Sequence, residues 1–137
     1  MQLNRWLTAL RILLLGDTSD NQNIGLRGEK VAQAYLKIKG WKIISTNIRV
    51  GHGEIDVIAL SPSQDIFAVV EVRTTANIAG NPEATITRKK RRAMKMAAKR
   101  FRYLAQKYNC KLRIDVITVR LLTSGRKIRH YKGVMRL

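Results

Sequence analysis

The sequence predicts an α/β domain whose core runs α-β-β-β-α-β, with an amphipathic helix added in front. Three observations predict this order. Residues 53–73 contain two β-branched apolar runs, G-E-I-D-V-I-A-L and I-F-A-V-V-E-V-R, joined by Ser61-Pro62-Ser63-Gln64-Asp65, which has the composition of a hairpin turn. Stripes of helical period flank the hairpin, over residues 25–39 on one side and from about residue 83 or 87 to 108 on the other. A further β-branched run, residues 111–120, follows the second stripe. The 137 residues suit one domain, enough to bury roughly two-thirds of the surface of the unfolded chain. Cys110 is the single cysteine, so no internal disulfide forms, and a reducing cytoplasm is the expected location.

Residues 1–15 carry Leu3, Trp6, Leu7, Leu10, Leu13 and Leu14 at helical spacing, interrupted by Arg5 and Arg11. This stretch is shorter than the ~20 apolar residues that cross a bilayer. Arg11 and the lack of a following small-x-small site argue against a secretory signal. The expected element is a helix that docks on the domain or on a partner, with peripheral membrane contact through residues 1–15 as the minor reading. Residues 1–22 are thus read as a helical extension and linker, and 23–137 as the folded domain.

The helix at 25–39 has Asn23 available as its cap and Gly40 as its stop. Glu29 lies three residues before Ala32 and seven before Leu36, on the stripe that faces the core. An acid there is costly unless paired or coordinated, so it requires a cation or a metal nearby, and ion pairing is the commoner solution. Residues 41–49 form the first strand, and 50–53 a turn in which His52 is a turn residue rather than a ligand.

Within the hairpin, side chains alternate between faces. Glu54, Asp56, Ile58 and Leu60 share one face of their strand, and Phe67, Val69, Glu71 and Arg73 share one face of theirs. Antiparallel pairing across the turn places Asp56 near Glu71, close enough for one divalent cation between them. The loop T-T-A-N-I-A-G-N-P-E follows at the edge of this site. In the long helix, Met94, Ala97, Ala98, Phe101, Leu104, Ala105 and Tyr108 make a core stripe. Arg88, Arg92, Lys95, Lys99 and Arg102 face solvent and, with Lys89 and Arg91, form a surface for phosphates. Lys90, one turn before Met94, points inward to the sheet. In the strand at 111–120, Asp115 is expected to pair with a neighbouring arginine. Residues 123–125 make a turn, and 127–131 a last edge strand.

Charge supplies the partner. Nine basic and eight acidic residues precede Ala84, whereas eighteen basic residues and one acid, Asp115, follow it, dividing the net +18 into +1 and +17. Such an asymmetry calls for a polyanion, nucleic acid first and an anionic membrane surface second. No P-loop, dinucleotide-binding glycine motif or serine or cysteine nucleophile motif is present. An acid on a helix, an acid on a strand and an acid-x-base pair on the next strand suit metal-dependent phosphodiester cleavage. Carboxylates hold Mg²⁺ or Mn²⁺ with open positions, and a cation two residues along, as Arg73 is from Glu71, positions water or steadies developing charge.

The runs G-L-R-G-E-K-V-A, G-E-I-D-V-I-A, V-V-E-V-R, T-R-K-K-R-R-A-M-K-M-A-A and R-I-D-V-I-T-V resemble, in order and spacing, the YraN family of small bacterial proteins. That family is similar to the PD-(D/E)xK nuclease superfamily and, within it, to archaeal Holliday junction resolvases. The resemblance spans roughly residues 25–119. It implies a restriction-endonuclease-like core with a mixed central sheet flanked by helices. It makes Glu29 the helix acid, Asp56 and Glu71 metal ligands, and Arg73 the occupant of the usual lysine position, while Glu54 and Lys90 match further motif positions. Arginine there keeps its charge but does not give up a proton.

Two functions are therefore expected as alternatives. One is a divalent-metal-dependent DNA endonuclease acting on branched or structured DNA as a homodimer, its catalytic set being Glu29, Asp56, Glu71, Arg73 and Lys90, and its metal ligands Asp56, Glu71, Glu29 and Glu54. The other is a nucleic-acid-binding module on the same fold whose catalytic residues are degraded.

Overall fold

In the computed structural model the described residues are 21–51, 53–75 and 86–137, and for 21–23 the backbone alone. The expectations for residues 1–20, for His52 and for the loop at 76–85 lie outside them.

The elements are α1 (Asn21–Ile38), β1 (Lys42–Val50), β2 (Gly53–Leu60), β3 (Ile66–Thr75), α2 (Arg88–Lys99), α3 (Arg102–Lys107), β4 (Lys111–Leu122) and β5 (Gly125–Met135). The sheet order is β1-β2-β3-β4-β5. Every neighbouring pair is antiparallel except β3 and β4, which are parallel and connected through the helical segment. The fold is a mixed-sheet α/β architecture in the expected α-β-β-β-α-β order, with the second helical segment split in two and the sheet extended by β5.

β3 is the central strand, with Phe67 to Val72 all buried. Such a strand reads as a continuous apolar run because both of its faces are covered. On one face Val31, Ala32 and Leu36 of α1 pack with Val57, Val70, Val72, Ile117 and Val119. On the other, Met94, Ala97, Ala98 and Ala105 pack with Ile58, Phe67, Val69, Ile114 and Val116.

Local sequence sets the boundaries. α1 starts at Asn21, so Asn23 falls inside it and is not its cap. It stops at Gly40, whose φ of +85° permits the Gly40 N–H to reach Lys37 O at 3.0 Å and the Trp41 N–H to reach Leu36 O at 2.9 Å. The hairpin turn is organised by Ser61 Oγ, which accepts from the Ile66 N–H at 3.0 Å and donates to Asp65 Oδ1 at 2.8 Å.

The single helix expected to run to Tyr108 is two helices. The Arg100 and Phe101 N–H groups reach back three residues, to Ala97 O and Ala98 O, and this tight turn ends α2. Phe101 then stacks on Phe67 with ring centroids 6.3 Å apart. The bend rotates the stripe beyond it, so Ala105 is buried while Leu104 and Tyr108, expected in the core, are 36% and 62% exposed.

Asp115 fastens the last strand. Its carboxylate, fully buried, accepts from Arg113 Nε at 2.7 Å and Nη2 at 2.9 Å, and from the Gly133 N–H at 3.0 Å. It also lies 2.8 Å from His130 Nε2. The Gly133 contact falls where the β4–β5 register shifts between Ile114 and Val116, and Gly133 itself has φ +64°. Burial pushes the Asp115 carboxyl up, but the hydrogen bonds from His130, Arg113 and Gly133 reverse this and leave it below its ordinary 3.8.

A lowered carboxyl contributes stability that is present above its unfolded value and is lost as pH falls through its folded value. Asp115→Asn removes one partner of a buried ionic cluster and is expected to cost about 3 kcal/mol at pH 7. Urea unfolding should show the gap between variant and parent closing at the most acidic pH; a difference under about 0.5 kcal/mol at pH 7 would match an ordinary surface site and remove this role.

Candidate active site

β2 and β3 pair from Leu60↔Phe67 to Val57↔Val70, and one further step in that register sets Asp56 against Glu71. The regular ladder stops there because Asp56 Oδ2 accepts the Val72 N–H at 2.7 Å. A carboxylate thus stands in for a backbone carbonyl, and the strands fork around two acids. Glu71 shares its face with Phe67 and Val69, the side covered by α2, and is only 4% exposed.

Two cations converge on one oxygen of Glu71. Lys90 Nζ lies 3.2 Å from Glu71 Oε1, and Arg73 Nε 3.6 Å from it. Lys90 comes from the first turn of α2, where its N–H donates to the Thr87 Oγ1 cap at 3.2 Å. The turn that starts the helix therefore also aims Lys90 at the sheet. Arg73 Nε is buried and has no hydrogen-bond partner among the described residues.

Glu29 approaches from α1. Gly28 packs so closely on β3 that a Cβ there would overlap Thr74 Oγ1, which draws this turn of the helix onto the strand end. Glu29 is half-buried, and its carboxyl is pushed above 4.5 by burial and then by the negative charges of Asp56 and Glu54. The groups felt by Glu29 are thus acids, where an ion pair was the commoner expectation. Glu54 is exposed, at the rim.

The acids perturb one another. Burial raises Asp56 most, while the Val72 N–H, the Lys90 charge and a hydrogen bond with Glu71 pull it back. Glu71 is pushed up to about 7 by burial and by the Asp56 charge, against the pull of Lys90 and Arg73. Both acids are therefore held above the ordinary carboxylate range by burial, and Glu71 further by the charge of Asp56.

No group of three His, Cys, Asp or Glu among the described residues forms a ready-made metal cage. The donor set is a pair, Asp56 with Glu71, and Glu29 and Glu54 add outer negative charge. That chemistry fits Mg²⁺, which keeps several waters and takes one or two carboxylates together with substrate phosphates.

Of the residues singled out from sequence, Glu29, Asp56, Glu71, Arg73 and Lys90 meet around the fork. Arg88, Lys89, Arg91, Arg92 and Lys99 lie on the outer sides of α2, all exposed, with Lys95 half-buried. Arg102 falls beyond the bend, on α3. Sequence reasoning missed the Thr87 cap, although a threonine before a charged helical run is a legible signal. It also missed the Val72 N–H and the Gly28–Thr74 contact, which arise only from tertiary packing.

Fold and site together define a small α/β protein built on a mixed five-stranded sheet, with an acid pair at a strand fork. The model for "Uncharacterised protein family UPF0102" matches residues 28–119, and the chain belongs to that family, the same one that its motifs resemble. A UPF0102 protein of Chlorobium phaeobacteroides is 36% identical over 103 residues, covering 74% of this chain and 80% of its own. One from Mycolicibacterium vanbaalenii is 36% identical over 123 residues, covering 85% and 97%. Among solved structures, a repair endonuclease from Pyrococcus abyssi is similar with a TM-score of 0.41 and 18% identity, over 80% of this chain and 42% of that one.

Glu71 titrates above its ordinary 4.5, so in metal-free protein the native state binds more protons than the unfolded chain between that value and about 7. Its contribution to stability is complete below 4.5 and is lost as pH rises through about 7. Thermal unfolding in chelator from pH 5 to pH 8 should show this decline in the parent and a flatter profile in Glu71→Gln; parallel profiles would refute the raised carboxyl.

Proposed function

We propose that this chain is a divalent-metal-dependent DNA endonuclease acting on branched or otherwise structured DNA, as a homodimer in the cytoplasm. The observation that carries the reading is the pairing of half-buried Asp56 with buried Glu71 at a strand fork, under two cations and beside an exposed basic helix face. Acids brought together at a cost in folding stability mark a functional site rather than a structural one.

Asp56 and Glu71 are the ligands for Mg²⁺ or Mn²⁺, with Glu29 and Glu54 adding negative charge around them. When bound, such an ion polarises the scissile phosphate and lowers the pKa of an attacking water. The chain's own residues do the rest. The Val72 N–H holds the Asp56 carboxylate in one orientation at 2.7 Å. Arg73, with its unsatisfied Nε, offers a donor to a phosphate oxygen. It keeps its charge throughout, so proton exchange falls to the acid pair, against which the Lys90 ammonium lies 3.2 Å from Glu71. The basic face of α2 takes the flanking phosphates.

A second reading has its own observation. The superfamily pattern that these motifs resemble carries lysine where this chain has Arg73, and if the reaction requires that lysine's proton, the site binds nucleic acid without cutting it.

A cleavage assay separates the two, using linear duplex, single-stranded and four-way-junction DNA with Mg²⁺ or Mn²⁺. Metal-dependent nicking by the parent, reduced about 100-fold or more in Glu71→Ala with DNA binding retained, is the expected result. A silent parent and an active Arg73→Lys would give the binding module with one residue lost. Silence from both, with salt-sensitive DNA binding, would end the nuclease reading.

A further inference from the structure

The flank of α2 turned away from Glu71 is one wall of a groove of about 760 Å³ whose other wall is the end of β5. Arg88, Arg91, Arg92 and Lys95 form the helix wall, with Lys89 at its edge. Val134 and Met135, both half-buried, and the exposed Arg136 form the opposite side. No acid lines the groove among the described residues, and none of its cations is in an ion pair with one.

We propose that this groove holds the phosphodiester backbone of one nucleic-acid strand, and that Arg136 at the end of β5 is a phosphate contact equal in kind to those of α2. The inference rests on the nucleic-acid reading of the site and adds to it a second wall that the helix alone does not provide. Three features support it. Among the described residues the cations of the lining have no internal counter-charge, and a polyanion relieves their repulsion. From Arg88 to Lys95 the helix rises about 10 Å, the axial length of about three nucleotides of one strand at about 3.4 Å each. The two sides also differ in chemistry, with charge for phosphates on one and the apolar surface of Val134 and Met135 for sugars on the other. A flat membrane surface does not enter a recess.

The groove also has a fixed relation to the acid pair. Lys90 leaves the same turn of α2 on its inner side to reach Glu71, while Arg88, Lys89 and Arg91 leave it outward. A strand in the groove therefore runs about one helix width, roughly 10–12 Å, from the acids. That distance suits the backbone flanking the scissile position, or the second strand of a branched substrate.

The test is oligonucleotide binding by the full chain in chelator, read as affinity against salt on single-stranded and duplex DNA. Each phosphate contact contributes about 0.7 to 0.9 to the slope of log affinity on log salt. Arg136→Ala is expected to weaken binding several-fold and lower the slope by about 1, Arg136→Lys to restore the slope, and Arg91→Ala with Arg92→Ala to lower it by about 2. Parent slope and affinity in Arg136→Ala, alongside weakened helix variants, would overturn the second wall. Failure of Arg136→Lys to restore the slope would assign Arg136 a structural role instead. Binding to phosphatidylglycerol vesicles that oligonucleotides do not compete would replace the strand with a lipid surface. Because binding is read without metal, a chain that cuts nothing but shows the Arg136 slope change keeps the groove and loses the chemistry. A chain that cuts but binds normally as Arg136→Ala does the reverse.

Discussion

The constraint on which this structure turns is that Glu71 sits inside the central strand of the sheet, beside a second acid. A valine at that position would extend the run from Phe67 to Val72 without conflict. Instead the chain places a carboxyl under helix α2 and must compensate a charge that burial disfavours. Much of the local architecture is that compensation. Thr87 starts α2 at the point from which Lys90 reaches Glu71, and Arg73 comes back along the same strand. Asp56 gives up regular pairing at the fork in exchange for the Val72 N–H.

The sheet carries a second buried acid, and the contrast between the two separates structure from chemistry. Asp115 has an arginine, a histidine and a backbone N–H on its two oxygens, and those partners hold it ionised below its ordinary range. Glu71 has two cations at longer range and a competing acid, and it is held up near neutrality. Similar burial gives opposite outcomes because one carboxyl is saturated with donors and the other is not. The saturated acid is a fastener for β5. The unsaturated one retains capacity for a ligand.

Much of this was legible in the sequence. The two strands around Ser61–Asp65, the flanking helices and the register that opposes Asp56 to Glu71 all follow from period and turn chemistry, because alternation across a hairpin leaves little freedom. Lys90 was legible for the same reason, lying one turn before a core methionine. What could not be read has a tertiary origin. The bend at Arg100 and Phe101 is set by Phe101 reaching Phe67, and it turned Leu104 and Tyr108 outward against a flawless helical pattern. Glu29 looked like half of an ion pair because sequence gives no account of which charges face it across the sheet. The groove beside α2 was invisible because its second wall comes from β5, some forty residues later in the chain.

The arginine at position 73 brings charge to the acid pair without bringing an exchangeable proton. Arg73 and Lys90 both approach Glu71 Oε1, so the positive charge around the acid pair is supplied twice, from the strand and from the helix. Arginine does not release a proton at any relevant pH, which leaves the exchange of protons at the fork to the two acids, Asp56 and Glu71. Burial raises both carboxyls, and the Asp56 charge raises Glu71 further, so the pair takes up protons more readily than free carboxylates do. The two cations thus set charge against the pair from two separate elements, while the proton equilibrium at the fork belongs to the acids themselves.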